Sequence, residues 1–343
     1  MQFSTMTAID TTKKPAIALI GCGYWGKNHA RNLAALGALK CVCDPSEAGR
    51  AKARELAPDC DITDNIDELL SRSDLDGIVI ATPAETHCEI ALKAFAAGKH
   101  VLVEKPMALT HADAVKMKQS ADATGKILMV GHLLEYHPAI TEIKSRIAKG
   151  ELGKIQYIYS NRLNFGKIRV EENALWSFAP HDIALILRLT KSTPFEVTCT
   201  GGNYITPNLA DVSVSNLHFV NGVRAHIFVN WLNPFKEQKL VVIGDKKMAV
   251  FNDTEPVEKL VIYNQRVDFD GRIPILEKAE REIVTLPAAE PLRTQSEAFL
   301  DSILTGNTPL TTAQSGIDVL RVLQACQVSL QSNGRPTPLS EIS

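Results

Sequence analysis

Long apolar runs are missing from this chain. No stretch approaches the roughly 18 consecutive apolar residues of a membrane-spanning helix, so no span is expected. An excess of one charge is missing too. There are 37 basic and 39 acidic residues, a net charge of −2, so neither nucleic acid nor an anionic membrane surface meets a basic field. The seven cysteines are scattered and odd in number. That argues against a disulfide framework and for a reducing, cytoplasmic setting. Cys41 and Cys43 form a C-x-C pair, but no second pair completes a zinc site, and no metal is expected. Repeats and low-complexity tracts are absent. Residues 1–14 are polar, lack the apolar stretch of a signal peptide and read as a frayed leader. What remains is 343 residues, 45% apolar and 22% charged, enough for two domains with a sizeable core.

The first part alternates short apolar strands with helices, which means βαβ units and a doubly wound parallel sheet over residues 14–131. The strand ending at Ile20 runs into Gly21, Cys22, Gly23, Tyr24, Trp25 and Gly26, and then into a helix. G-x-G-x-x-G in that context is a dinucleotide-binding turn. The first glycine permits the turn, the second admits a pyrophosphate, and the third lets helix pack on strand. Tyr24 and Trp25 are placed with the glycines at the cofactor. A second strand ends at Asp44, eighteen positions after Gly26. A carboxylate there accepts from the adenosine ribose and repels the extra phosphate of NADP, and no arginine adjoins it, so NAD is expected. The competing role for Asp44 is to cap the helix over residues 46–56. Another strand end carries Thr82, Pro83 and His87. Thr82 is expected to cap the helix of residues 84–97, Pro83 to sit in its first turn, and His87 to be structural or a cofactor-side contact.

The chemistry is expected at Val101-Leu102-Val103-Glu104-Lys105-Pro106. An apolar β-branched run stops at a carboxylate and an amine, at the strand end where open α/β sheets bind ligands. Pro106 biases Lys105 away from helical geometry, which holds the lysine in an extended pose. Glu104 is expected to orient that lysine or a ribose hydroxyl.

After Gly131 the grammar changes. A helix over residues 136–149 precedes β-rich runs at 155–162, 195–200, 212–219, 223–231, 239–244, 248–252 and 259–264, broken by turns such as Asn221-Gly222. These predict a mostly antiparallel sheet in an α+β domain over residues 132–339, closed by helices over 296–304 and 316–332. One stretch is densely polar: Arg162, Asn164, Phe165, Lys167 and Arg169, then Trp176, Ser177, Pro180 and His181. Pro180 suits the first turn of a helix over residues 182–189, which puts His181 at its start. The three cations suit an anionic substrate, arginine being shaped for bidentate anion binding. The competing reading is a solvated strand edge.

G-C-G-Y-W-G, Asp44, A-T-P-A-E-T-H, V-L-V-E-K-P and M-V-G-H occur in that order, and the set resembles the Gfo/Idh/MocA oxidoreductases. The resemblance implies an NAD(P)-dependent sugar or polyol dehydrogenase. It implies an open-faced second-domain sheet that forms homo-dimers or homotetramers. It also implies that Lys105 lies beside nicotinamide and substrate hydroxyl, and that His181 is the second catalytic residue. Many polyol dehydrogenases of the family have an aspartate where this chain has Ser177. L-W-S-F-A-P-H-D-I, with the basic segment upstream, is similar to the subgroup acting on UDP-N-acetylglucosaminuronate in O-antigen synthesis. Members of that subgroup oxidise the sugar C3 hydroxyl, and some relatives reoxidise bound NADH with 2-oxoglutarate. By this resemblance Arg162, Asn164, Phe165, Lys167, Ser177 and His181 contact a nucleotide-sugar acid. A free lysine, near pKa 10.4, is too basic for a general base at neutral pH, but burial beside a cationic ring would lower it. Lys105 and His181 both stand as candidate bases. The alternatives are another sugar or polyol dehydrogenase, a ketosugar reductase of the same family, or a non-catalytic NAD-binding sensor.

Overall fold

The computed structural model describes residues 14–342, so the leader assigned to the first residues lies, but for Lys14, outside the described residues. The chain divides into two compact units. One ends at Gly131 and also contains Leu292–Gly316; the other comprises His132–Pro291 and Ile317–Ser343.

In the first unit six strands form one sheet: β1 (Ile17–Ile20), β2 (Leu39–Cys43), β3 (Asp61–Thr63), β4 (Gly77–Ile80), β5 (His100–Val103) and β6 (Leu128–Val130). Their order is β3-β2-β1-β4-β5-β6, and all five pairings are parallel. Helices α1 (Gly26–Ala35), α2 (Glu47–Leu56), α3 (Ile66–Ser71), α4 (His87–Ala96) and α5 (His111–Thr124) make the crossovers. β1 and β4 are buried throughout, as their unbroken apolar runs require of a sheet covered on both faces. The strand order reverses between β1 and β4. That switch point is where such sheets bind ligands.

The second unit opens with α6 (Pro138–Ala148) and β7 (Ile155–Phe165), followed by the long helix α7 (Ala174–Thr190). Then come β8 (Glu196–Gly202), β9 (Val212–His218), β10 (Arg224–Asn230), β11 (Leu232–Gly244), β12 (Met248–Asn252), β13 (Leu260–Asp270) and β14 (Ile273–Ile283). After the last two helices, α8 (Pro291–Thr305) and α9 (Ala313–Gln331), the two-residue β15 (Thr337–Pro338) pairs with β8. The nine-stranded order is β14-β13-β12-β11-β7-β10-β9-β8-β15, antiparallel except for β7 with β10. β9 and β10 alternate buried with half-exposed positions, so one face of the sheet is packed and the other open.

Several features differ from the sequence reading, the short strands β3 and β15 among them, since neither has an apolar run long enough to signal a strand. β14 is not among the expected runs, because its charged run Glu277-Lys278-Ala279-Glu280-Arg281-Glu282 hides the strand period; it is held by pairing with β13 and by Arg146 of α6, which donates to Glu282 at 2.6 and 2.9 Å. Leu292–Gly316 lies with the first unit, not the second. Phe299 and Ile303 of α8 pack where Gly77 has no side chain, and Thr312 bridges to Met129 at the sheet edge. α7 starts at Ala174, not at residue 182. Asn173 caps it by accepting the Trp176 N–H, and Pro180 falls inside the helix instead of in its first turn. Among the described residues no helix is long and apolar enough to cross a membrane.

Candidate active site

The turn after β1 is closed toward the protein. Gly21 has φ +91°, and a Cβ there would lie 2.8 Å from the Ala81 carbonyl oxygen. A Cβ on Gly26 would lie 1.9 Å from the Gly21 carbonyl oxygen, so α1 starts this close to the turn only as glycine. Gly23 is open: nothing lies within 4 Å of its Cβ position. Tyr24 beside it is exposed, with Lys27 Nζ 5.5 Å from its ring centroid. An exposed glycine backbone before a helix N-terminus fits a dinucleotide pyrophosphate.

Asp44 completes that fit. Its Oδ2 accepts the Cys22 N–H at 2.7 Å, and its Oδ1 accepts the N–H and hydroxyl of Ser46 at 2.8 and 2.7 Å. Burial pushes the carboxyl up, but the Ser46 hydroxyl and the two N–H groups outweigh it and hold Asp44 below the ordinary carboxylate value. An ionised carboxylate has about four acceptor sites, which leaves capacity for a ribose hydroxyl. The helix-capping alternative fails here, since Ser46 caps α2 by accepting the Gly49 N–H. Helix winding does bring an arginine near, which adjacency in sequence had not suggested. Arg50 is engaged by the Asp44 and Pro45 carbonyls and by the Glu47 carboxylate.

Glu104, at the end of β5, is 7% exposed. Its Oε1 accepts the Trp25 indole N–H at 2.7 Å and lies 2.7 Å from His29 Nε2, while Oε2 accepts the Lys105 backbone N–H at 3.1 Å. Burial pushes this carboxyl up, but His29 and then Trp25 overcome it, and the net shift is downward. A Cβ on Gly131 would meet the Glu104 carboxyl at 2.9 Å, so the glycine makes room for it. Glu104 therefore acts on the backbone of the lysine, and the Trp25 indole N–H points to Glu104. Lys105 is half-buried, and its bond to Pro106 is cis.

His87 is a strut. Nδ1 lies 3.0 Å from the Pro106 carbonyl oxygen and Nε2 2.9 Å from that of Thr82, and burial pushes the imidazole below its ordinary value. With both nitrogens facing protein carbonyls, its role is structural. Thr82 does not cap the helix; its hydroxyl pairs with that of Thr86, and Pro83 opens a 3-10 turn before α4.

In the second unit Arg162 is not available to a substrate anion. Asp182 accepts from its Nε at 2.7 Å and from its terminal nitrogen at 3.0 Å, and also takes the Ser160 hydroxyl at 2.6 Å. A buried guanidinium needs such a partner, so Arg162 serves to hold α7 to β7. Lys167 is exposed beyond the end of β7, and Arg169 pairs with Glu172 at 3.2 Å. Phe165 is exposed and Asn164 half-buried. His181 lies two turns into α7, half-buried, not at a helix start. Ser177 is buried one turn earlier, on the same face.

The reading from sequence missed His29, for which a polar residue in α1 gave no signal, and Asp182, whose partner is twenty positions away. Among the described residues no group of three or more His, Cys, Asp or Glu could hold a metal ion.

Comparison with known proteins agrees with this frame. Residues 16–132 match the model of an oxidoreductase family with an NAD-binding Rossmann fold, and residues 140–250 match the GFO/IDH/MocA C-terminal domain. A 2,7-anhydro-N-acetylneuraminate hydratase of Mediterraneibacter gnavus is 27% identical, over 96% of this chain and 98% of that one. A UDP-N-acetylglucosamine 3-dehydrogenase of Acidithiobacillus ferrooxidans is also 27% identical, over 92% and 96%. A solved structure of the latter enzyme superposes with a TM-score of 0.81 at 26% identity, covering 93% of this chain and 98% of that one. With a dinucleotide turn in its first unit and the family's sheet in its second, the chain belongs to the Gfo/Idh/MocA family of NAD-binding oxidoreductases.

Proposed function

We propose that the chain oxidises the C3 hydroxyl of UDP-N-acetyl-D-glucosaminuronic acid to the 3-keto sugar, a cytoplasmic step toward a 2,3-diacetamido uronate of O-antigen. The observation that carries this reading is the cationic segment of Lys167 and Arg169, which leaves β7 and leads into the helix bearing His181. A sugar acid on a diphosphate offers such cations three anionic groups. The dehydrogenase and the hydratase that align over nearly the whole chain both carry an N-acetylated sugar in their names.

The glycine turn and Asp44 would hold NAD, which when bound would supply the hydride acceptor. Gly21, Gly23 and Gly26 shape the backbone for its phosphates, and Asp44 takes the ribose. Lys105 or His181 removes the hydroxyl proton as C3 loses its hydride and C–O becomes C=O. Glu104 fixes the lysine through its backbone N–H. Ser177, Asn164 and Phe165 border the sugar. Arg162 acts through Asp182 to place α7.

The test follows the NADH absorbance band of purified protein as isolated, then with UDP-N-acetylglucosaminuronate or UDP-N-acetylglucosamine, with and without added NAD. A rise with the uronate alone is the expected result. Decay of that signal on adding 2-oxoglutarate would establish recycling of the cofactor in place. The hydratase relative, whose name carries a sugar acid without a nucleotide, supports a second reading. Turnover of a free sugar acid with no response to UDP-sugars would favour it.

A further inference from the structure

Several segments of the second unit emerge at one end of its sheet. The strand register puts Gly202, Val212, Asn230, Leu163 and Glu237 in one row. Beyond that row the chain runs through residues 203–211, 231–236 and 164–173. This rim displays large side chains to solvent: Tyr204 is 72% exposed, Phe165 70% and Phe235 60%. It also carries Lys167 and Lys236, both exposed. These aromatic side chains all lie beyond the same row of the sheet, on the segments that leave β7 and β8 and enter β11.

The backbone at Tyr204 is held by a buried carboxylate. Asp211, fully buried, accepts the backbone N–H of Tyr204 at 2.6 Å and of Ile205 at 2.9 Å, and also takes the Trp231 indole N–H. The same loop binds the start of α7, where the Ala174 N–H donates to the Ala210 carbonyl at 2.9 Å. The Tyr204 ring lies against Gly202, where a Cβ would come within 2.6 Å of the phenol oxygen. The glycine lets the ring lie down on the backbone while leaving most of it uncovered. A ring whose backbone is held, backed on one side and open on the other, suits a stacking platform.

We propose that this rim is a nucleoside-diphosphate subsite, with Tyr204 stacking the base and Lys167 and Lys236 meeting the diphosphate. β8 and β7 are three strand spacings apart, roughly 14 Å, a span suited to an extended nucleotide. The inference rests on the nucleotide-sugar reading above and deepens it. It makes the nucleotide an anchor in its own right and assigns it to Tyr204, Phe235 and Lys236, none of them evident from sequence.

The test is calorimetric titration of the full-length protein with UDP alone, separate from turnover of UDP-N-acetylglucosaminuronate. UDP is expected to bind, roughly ten-fold more weakly to Tyr204→Ala and almost unchanged to Tyr204→Phe, as base stacking requires. Lys167→Ala/Lys236→Ala should reduce the dependence of UDP binding on salt. UDP that fails to bind, or binds Tyr204→Ala and wild type alike, overturns the subsite; the dehydrogenase reading survives if the uronate is still oxidised. UDP binding that depends on Tyr204, without oxidation of the uronate, keeps the subsite and removes the assigned reaction. A change of oligomeric mass in Tyr204→Ala with unaltered UDP affinity would make the rim a subunit contact and overturn the proposal.

Discussion

At Lys105 a half-buried amine leaves a strand end whose backbone N–H is held by an ionised, buried Glu104. Lys105→Met keeps the backbone and removes one of the two proposed proton acceptors. NAD binding, followed by fluorescence titration, should persist while kcat falls about 10²–10⁴-fold, the range for loss of a general base. Turnover near wild type would remove Lys105 from the mechanism. Asp44 is a second single-residue test. Asp44→Ala should weaken NAD binding about ten-fold or more, the worth of a charged hydrogen bond, and raise the NADP-to-NAD preference in kcat/KM. Arg50, released from no contact by this change, already lies at the Asp44 carbonyl and is placed to favour the extra phosphate.

At the scale of elements, α7 depends on its first turn. Asn173 accepts the Trp176 N–H, and its amide donates to Gln327 Oε1 at 2.8 Å. Asn173→Ala should cost about 1 kcal/mol, seen as a lower urea midpoint with unchanged slope. β5 carries a pH dependence of its own. His100 Nδ1 accepts the Ile127 N–H at 3.1 Å, which requires that nitrogen to be unprotonated. Burial, aided by Lys126, pushes the imidazole down to about 4, against about 6.5 for an unfolded chain. The unfolded state therefore takes up the proton first. This contribution to stability is complete above about pH 6.5 and is lost as pH falls toward 4. His87, also pushed down by burial, acts in the same direction. The melting temperature should fall across that window, and His100→Asn, which retains an acceptor without titrating, should flatten the fall.

At the scale of the whole molecule the expectation is a homo-oligomer, a dimer or tetramer. The β13–β14 ribbon places Val267 opposite Leu276 and Phe269 opposite Pro274 on one exposed face, while Arg266 and Glu277 form an ion pair at 2.6 Å on the other. A two-stranded ribbon is marginal alone in water, and the apolar residues displayed on it make it the proposed contact with a second copy. Light scattering should give a multiple of the 37.5 kDa chain mass, lowered in Phe269→Asp/Leu276→Asp without loss of NAD binding. An unchanged mass would place the interface elsewhere.

The alternation of strand and helix, the glycine turn and Asp44 were legible in the sequence because each is local. Their signals are the two hydrophobic periods and a backbone that only glycine adopts. The ordered motifs reached further, to the family and its cofactor. Tertiary structure alone decided which donors meet which acceptors. Trp25 and His29 converge on Glu104 from 79 and 75 positions away, and Arg162 is neutralised by Asp182, so a cation that reads as a substrate anchor becomes a strut. Structure also decided that α8 covers the parallel sheet and that a charged run forms β14. Burial and pairing across the fold, which no local period encodes, determine whether a charge faces a ligand or another residue.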